Sequence, residues 1–242
     1  PLMATDDMHS ADPTGLADDT ANHGTGMAGL AAYGDLTEAI STASPVDVEH
    51  RLESVRLVAA GGANPGPPSF HASLFSDAVA RPEISFPKRR RVFCSAITAS
   101  DYRDRGRPSS WSSTVDSLAA NADGSGQFPR LFILSAGNTD DPAAWADYPA
   151  SLSTNLVHDP GQAWNALTVG ACTSKSDTQD INYTALAPSG DLSPYTTTSA
   201  AWESAWPLKP DVVLEGGNLG DNGLGPMGMS SLHLLSTNHE PL

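Results

Sequence analysis

Leu131-Phe132-Ile133-Leu134-Ser135-Ala136-Gly137-Asn138 runs from four large apolar residues through three small ones to a single amide. A short apolar run of this kind predicts a buried strand over 131–134. In α/β sheets, ligands bind outside the carboxyl ends of the strands. An Asn at that position can aim its NH2 at an oxygen that becomes negative in a transition state. It can equally cap the turn into Asp140-Asp141-Pro142.

Working outward, four further apolar runs predict strands over 54–60, 92–98, 166–172 and 211–214. Small and apolar residues over 24–33 suit a tightly packed helix, 71–79 reads as a helix with an end near Pro82, and helical spacing predicts a helix over 111–121, where Trp111, Val115, Leu118 and Ala119 share a face. The stretch 64–69 is a Pro/Gly loop, and 101–110 is a polar one. Strands so short and uniformly apolar are expected to be buried on both faces. Alternating with helices, they predict an α/β domain with a mainly parallel central sheet and helices on both faces. There is no internal repeat and no composition break, so a single domain over 1–242 is expected.

Composition excludes several classes. The net charge of −15 would repel nucleic-acid phosphate rather than neutralise it. The one basic run, Lys88-Arg89-Arg90-Arg91, leads straight into an apolar strand and reads as its solvated start. No stretch is long enough to span a bilayer, so neither nucleic acid nor membrane is expected as a partner. Cys94 and Cys172 each sit in an apolar run and are expected to be reduced and buried. No signal peptide is visible, which favours the cytoplasm over export without fixing the compartment.

A second string, His23-Gly24-Thr25-Gly26-Met27-Ala28-Gly29, places an imidazole where small residues open a helix. A neutral imidazole there can take a proton from a hydroxyl and return it; alone, it reads as readily as a turn histidine. Two more strings, Trp164-Asn165-Ala166-Leu167-Thr168-Val169-Gly170-Ala171 and Lys209-Pro210-Asp211-Val212-Val213, suggest strands with specialised beginnings.

Taken together and in this order, the four strings resemble the subtilisin-like (S8) serine proteases. The resemblance rests on His23 to Thr25, Ser135 to Asn138, Asn165 to Ala171 and Lys209 to Val213. It implies a three-layer subtilisin-like fold with a parallel sheet of about seven strands, and cleavage of polypeptides through an acyl-enzyme. It implies His23 as general base and acid, Asn138 as oxyanion-hole donor, and Ser135, Ala136 and Gly137 as one wall of the substrate pocket. Ala96 and Ile97 fall where the family lines the substrate, although Ser95-Ala96-Ile97-Thr98 departs from its usual Ser-Leu-Gly.

Two of the family's segments have no match. No Asp-Ser/Thr-Gly turn precedes His23, and Asp6, Asp7, Asp12, Asp18 and Asp19 all lack the following Gly. Neither Ser230-Ser231-Leu232 nor Ser236-Thr237-Asn238 is the Gly-Thr-Ser segment of the nucleophile. The chain is therefore expected to be a subtilase catalytic domain cut at both ends, inactive by itself. The alternative is a pseudoprotease or peptide-binding module on the same fold. A nucleotide-using enzyme is disfavoured, since Gly24-Thr25-Gly26 follows a loop and not a strand. No cofactor and no metal site are expected. Structural calcium is the one candidate, and the Asp pairs lack the spacing of a calcium loop.

Overall fold

The computed structural model describes residues 3–12, 15–58, 70–99 and 105–238. They fall into two compact units: Pro1–Arg90 with Gly124–Phe128 and Leu234–Leu242, and Arg91–Asp123 with Pro129–His233.

In the first unit, β1 (Met8–Ser10) pairs in parallel with β2 (Ser54–Arg56), Met8 opposite Ser54 and Ser10 opposite Arg56. Two further helices, α1 (His23–Tyr33) and α2 (Thr37–Thr42), lie between these strands in sequence. The third, α3 (His71–Ser85), packs on both strands through Phe75, Val79 and Pro82, which share one face. Pro82 does not stop this helix as expected. Its ring is buried with that face, and Phe86 N–H donates to the Pro82 carbonyl at 2.9 Å, which closes the last turn. Asp7 is almost fully buried under the guanidinium groups of Arg51 and Arg89, and Arg89 also bridges to Glu53. The Arg89 hydrogen bond outweighs desolvation and holds the Asp7 carboxyl below the usual carboxylate range. Arg89 is thus the one residue of the basic run that pairs with the buried Asp7, while Lys88 and Arg90 beside it are exposed.

The second unit is built on a parallel four-stranded sheet. Its order is β3 (Val92–Ser95), β4 (Leu131–Ser135), β5 (Leu167–Cys172) and β7 (Val212–Glu215), with the short β6 (Thr184–Ala185) lying elsewhere. Parallel neighbours need a crossover, and α4 (Ser110–Ala119) supplies the one from β3 to β4, packing on β4. Its buried face is Trp111, Val115 and Leu118, and its Ser109 cap accepts from Ser112 N–H at 2.9 Å. Beneath it lie Phe132 and Leu134, both essentially sealed from water, with Phe93 stacked on Phe132 at 5.2 Å. Each such side chain contributes about 1.5–3 kcal/mol by leaving water.

The Lys-Pro-Asp string is a structural clamp. Lys209 is buried, and its Nζ donates to the Ala166 carbonyl at 3.0 Å and to Asp211 Oδ2 at 2.7 Å. The same Asp211 oxygen accepts from Thr168 N–H at 2.7 Å, so one ion pair ties the starts of β5 and β7 together. Beyond β7, a small antiparallel sheet of β6, β8 (Leu219–Asp221) and β9 (Pro226–Gly228) is organised by Asn218. That side chain is fully buried. Its amide donates to the Lys175 and Ala187 carbonyls at 2.8 Å each, and its oxygen accepts from Ala187 and Leu219 N–H.

Three expectations need correction. The sheet strands are not buried on both faces: Phe132 and Leu134 of β4 are sealed, while Leu131 is 47% exposed and Val92 and Leu214 more so. An uninterrupted apolar run looks the same in either case. For the same reason Cys94 of β3 is exposed and Cys172 of β5 only half-buried, although both thiols are free. Strand β2 ends at Arg56, short of the expected span. Residues 59–60, the Pro/Gly loop at 64–69 and positions 101–104 lie outside the described residues.

Candidate active site

Strand β4 ends at Ser135, and each residue after it is fixed by a different partner. The Ser135 hydroxyl accepts from Gly137 N–H at 3.1 Å. Ala136 is buried; its N–H donates to the Val169 carbonyl, and its own carbonyl accepts from His158 N–H and from the Thr197 hydroxyl. Gly137 has φ +104, and a Cβ there would lie 2.3 Å from His158 Cγ, so only glycine fits. Thr139 N–H donates to the Tyr195 carbonyl, its hydroxyl reaches the Thr196 carbonyl, and its own carbonyl accepts from Trp145 Nε1.

Asn138 stands between these two pinned neighbours with its side chain exposed. It makes no side-chain hydrogen bond among the described residues. The capping role at this turn belongs to Asp141, whose carboxylate accepts from Ala143 N–H at the start of α5 (Pro142–Ala146). The result is a rigid backbone that presents an uncommitted amide at the carboxyl end of a parallel strand. Such a group can stabilise a developing oxyanion without first breaking another bond.

The β3–β4 register sets Ser95 opposite Leu134. Ala96 and Ile97 therefore leave the sheet beside Ser135 and Ala136. Ala96, Ile97 and Ser135 are half-buried and Ala136 is buried. One residue packed beside them, His158, carries no sequence signal. His158 reaches Thr98 Oγ1 through its Nδ1 at 3.3 Å and packs against Gly137. Burial lowers its pKa from the usual histidine value, against the opposing pull of Asp140. Nothing in the sequence around His158 marks it, because its setting is created entirely by distant segments.

In the first unit, His23 is the first residue of α1 and is exposed, with no hydrogen bond to its ring among the described residues. The helix start is capped instead by Asp19, whose carboxylate accepts from Thr25 N–H at 2.7 Å and from Ala21 N–H at 3.0 Å. The small residues after His23 serve close packing, as their composition suggests. A Cβ on Gly29 would meet the Thr237 and Ser236 hydroxyl oxygens at 2.3 and 2.6 Å. Those hydroxyls donate to the Thr25 and Gly26 carbonyls. Of the expected site residues, Ser135 to Asn138 with Ala96 and Ile97 thus gather in the second unit, and His23 belongs to the first.

Among the described residues, no group of three His, Cys, Asp or Glu is arranged to hold a metal ion. The acidic pairs are engaged elsewhere, Asp7 with arginines and Asp19 with a helix start. No described helix is long and apolar enough to cross a membrane. The profile of the subtilase family, Peptidase S8, matches residues 4–242. No curated protein matches the chain.

Proposed function

The chain belongs to the subtilase family of serine peptidases, and from that premise we propose that it is the catalytic domain of an endopeptidase that works through an acyl-enzyme. In this reading a serine hydroxyl attacks the carbonyl carbon of the scissile peptide bond. The neutral imidazole of His23 takes the hydroxyl proton and delivers it to the departing amine. The carbonyl oxygen, negative in the tetrahedral intermediate, accepts a hydrogen bond from the Asn138 amide. A water then repeats the sequence on the acyl-enzyme, again giving its proton to His23, and releases the carboxylic acid. Ser135, Ala136 and Gly137 on one side, with Ala96 and Ile97 on the other, hold the side chain that precedes the cleaved bond.

The observation that carries this reading is the free Asn138 amide between two immobilised residues. The attacking serine and the carboxylate that orients His23 are assigned to segments other than these 242 residues. No Gly-Thr-Ser segment follows Val213, and no Asp-Ser/Thr-Gly turn precedes His23. Hydrolysis of an unstructured protein, with and without a serine-directed covalent inhibitor, tests the assignment on two lengths of the protein. The 242-residue chain is expected to be silent, and a chain extended through both segments to cleave and to be blocked. Inhibitor-sensitive cleavage by the short chain would place the nucleophile within it. A silent long chain that still binds peptides would favour a pseudoprotease.

A further inference from the structure

Strands β8 and β9 of the small sheet are joined by Asn222-Gly223-Leu224-Gly225, all exposed, and the ladder closes on Asp221 opposite Pro226. Asn222 is the one asparagine of the chain that a glycine follows. Its side-chain carbonyl accepts from Leu224 N–H at 3.0 Å. The Gly223 N–H donates to Asp221 Oδ1 at 2.8 Å. Gly223 has φ +87, and a Cβ added to it would meet nothing within 4 Å. Its nitrogen is therefore uncrowded. A carboxylate stands ready for the proton on that nitrogen, and a donor already sits on the oxygen of the neighbouring amide. Two other exposed asparagines lack this arrangement. Thr139, after Asn138, gives its N–H to the Tyr195 carbonyl, and Tyr183, after Asn182, gives its N–H to the Asp180 carbonyl. Neither acceptor is a base, and both nitrogens carry bulkier residues.

We propose that Asn222 is a site of self-modification, where the Gly223 nitrogen attacks the Asn222 side-chain amide and converts it through a succinimide to aspartate or isoaspartate. As the bond from nitrogen to Cγ forms, the N–H proton passes to the Asp221 carboxylate. The amide oxygen, negative in the tetrahedral intermediate, is stabilised by the Leu224 N–H that already bonds it. The intermediate collapses by breaking the bond from Cγ to the side-chain nitrogen. That nitrogen takes the proton back from Asp221 and leaves as ammonia. Water then opens the ring at either carbonyl and leaves a carboxylate at position 222, in the ordinary or the iso linkage. Water is the only co-reactant. Either product sets a second negative charge beside Asp221. The iso linkage also adds a carbon to the backbone of the turn, and turn length fixes hairpin register. The change therefore falls on the Asp221–Pro226 end of the ladder, while buried Asn218 and Leu219 hold the other end.

The test incubates the 242-residue protein near neutral pH at physiological temperature, with a serine-directed inhibitor present so that no proteolysis intrudes. A synthetic peptide of residues 218–225 and the protein unfolded in guanidinium chloride run beside it. Peptide mapping by mass spectrometry follows each asparagine, and released ammonia is measured. Conversion is expected at Asn222 ahead of every other asparagine. It should be faster in the folded protein than in the peptide or the unfolded chain by about 10-fold or more, a part of what a positioned acid–base group contributes. Asp221→Ala should slow the folded protein toward the peptide rate and leave the matching peptide little changed. Gly223→Ala, which crowds the nitrogen, should slow both. If a variant does not fold, the folded parent against the peptide still decides. A folded protein that converts no faster than the peptide overturns the proposal, because the two hydrogen bonds then merely hold the turn. An unchanged folded rate in Asp221→Ala overturns it as well.

Discussion

Replacing Gly137 by Ala probes the backbone that aims Asn138. Two costs arise, and they can be separated. The first is conformational: φ +104 lies where L side chains are rarely found, and holding Ala there costs about 1–3 kcal/mol. The second is steric. The new Cβ would sit 2.3, 2.5 and 2.8 Å from His158 Cγ, Nδ1 and Cβ. The ring cannot yield freely, because its residue is hydrogen-bonded to both neighbouring stretches, and overpacking of this kind costs about 1–3 kcal/mol. Gly137→Ala should therefore lower the unfolding free energy by about 2–6 kcal/mol, a large part of a domain's usual 5–15. A double-mutant cycle with His158→Gly removes all three close contacts. It should recover the steric share, a coupling of about 1–3 kcal/mol, and leave the conformational share untouched. Urea unfolding of the four proteins, with slopes compared to confirm one transition, reads these values. Additive costs, or a Gly137→Ala variant as stable as the parent, would show that His158 does not pack on Gly137.

Asn218→Ala should cost about 3–5 kcal/mol in the same assay, since it strands buried groups at Ala187 and Lys175 that cost about 1–3 kcal/mol each when unpaired; a cost below about 1 kcal/mol would refute its role as the hub of the small sheet. Acid should destabilise the fold through two histidines. Burial lowers the pKa of His158 and His233 from 6.5, with Asp140 opposing at the first and Lys175 adding at the second. Each binds its proton more readily when unfolded, so its contribution is complete above 6.5 and lost as pH falls toward the folded value. Unfolding free energy is expected to fall from about pH 7 to 5, and to fall less in His158→Gln/His233→Gln; an identical profile in the variant would contradict the assignment.

The large sheet was legible because its strands are unbroken apolar runs bounded by polar or small residues, and β3, β4, β5 and β7 start within a residue of their expected positions. What such runs conceal is which face is covered, and the exposures of Leu131 and Cys94 follow from that. Strand β1 and the three strands around Asn218 span two or three residues each, too few for any periodicity. They exist because of contacts outside their own length, such as the pairing of Met8 with Ser54 and the approach of Met229 to Gly220, where a Cβ would fall 2.2 Å from Sδ. Helix α2 buries none of its residues and so leaves no amphipathic stripe to read. The site divides in the same way. Asn138 and its small neighbours were readable as a strand end with a polar tip. His158 was not, since its partner Thr98 is sixty residues away in sequence.

The oxyanion role of Asn138 is tested most directly by Asn138→Ala in the extended protein, with kcat and KM measured on one peptide. The amide meets charge that exists only in the transition state, so the loss should fall on kcat with KM little changed. The expected size is about 10²–10³-fold, the loss a subtilisin shows when its own oxyanion-hole asparagine is removed. A near-normal kcat, or a loss confined to KM, would contradict the account and leave Asn138 as an exposed turn residue.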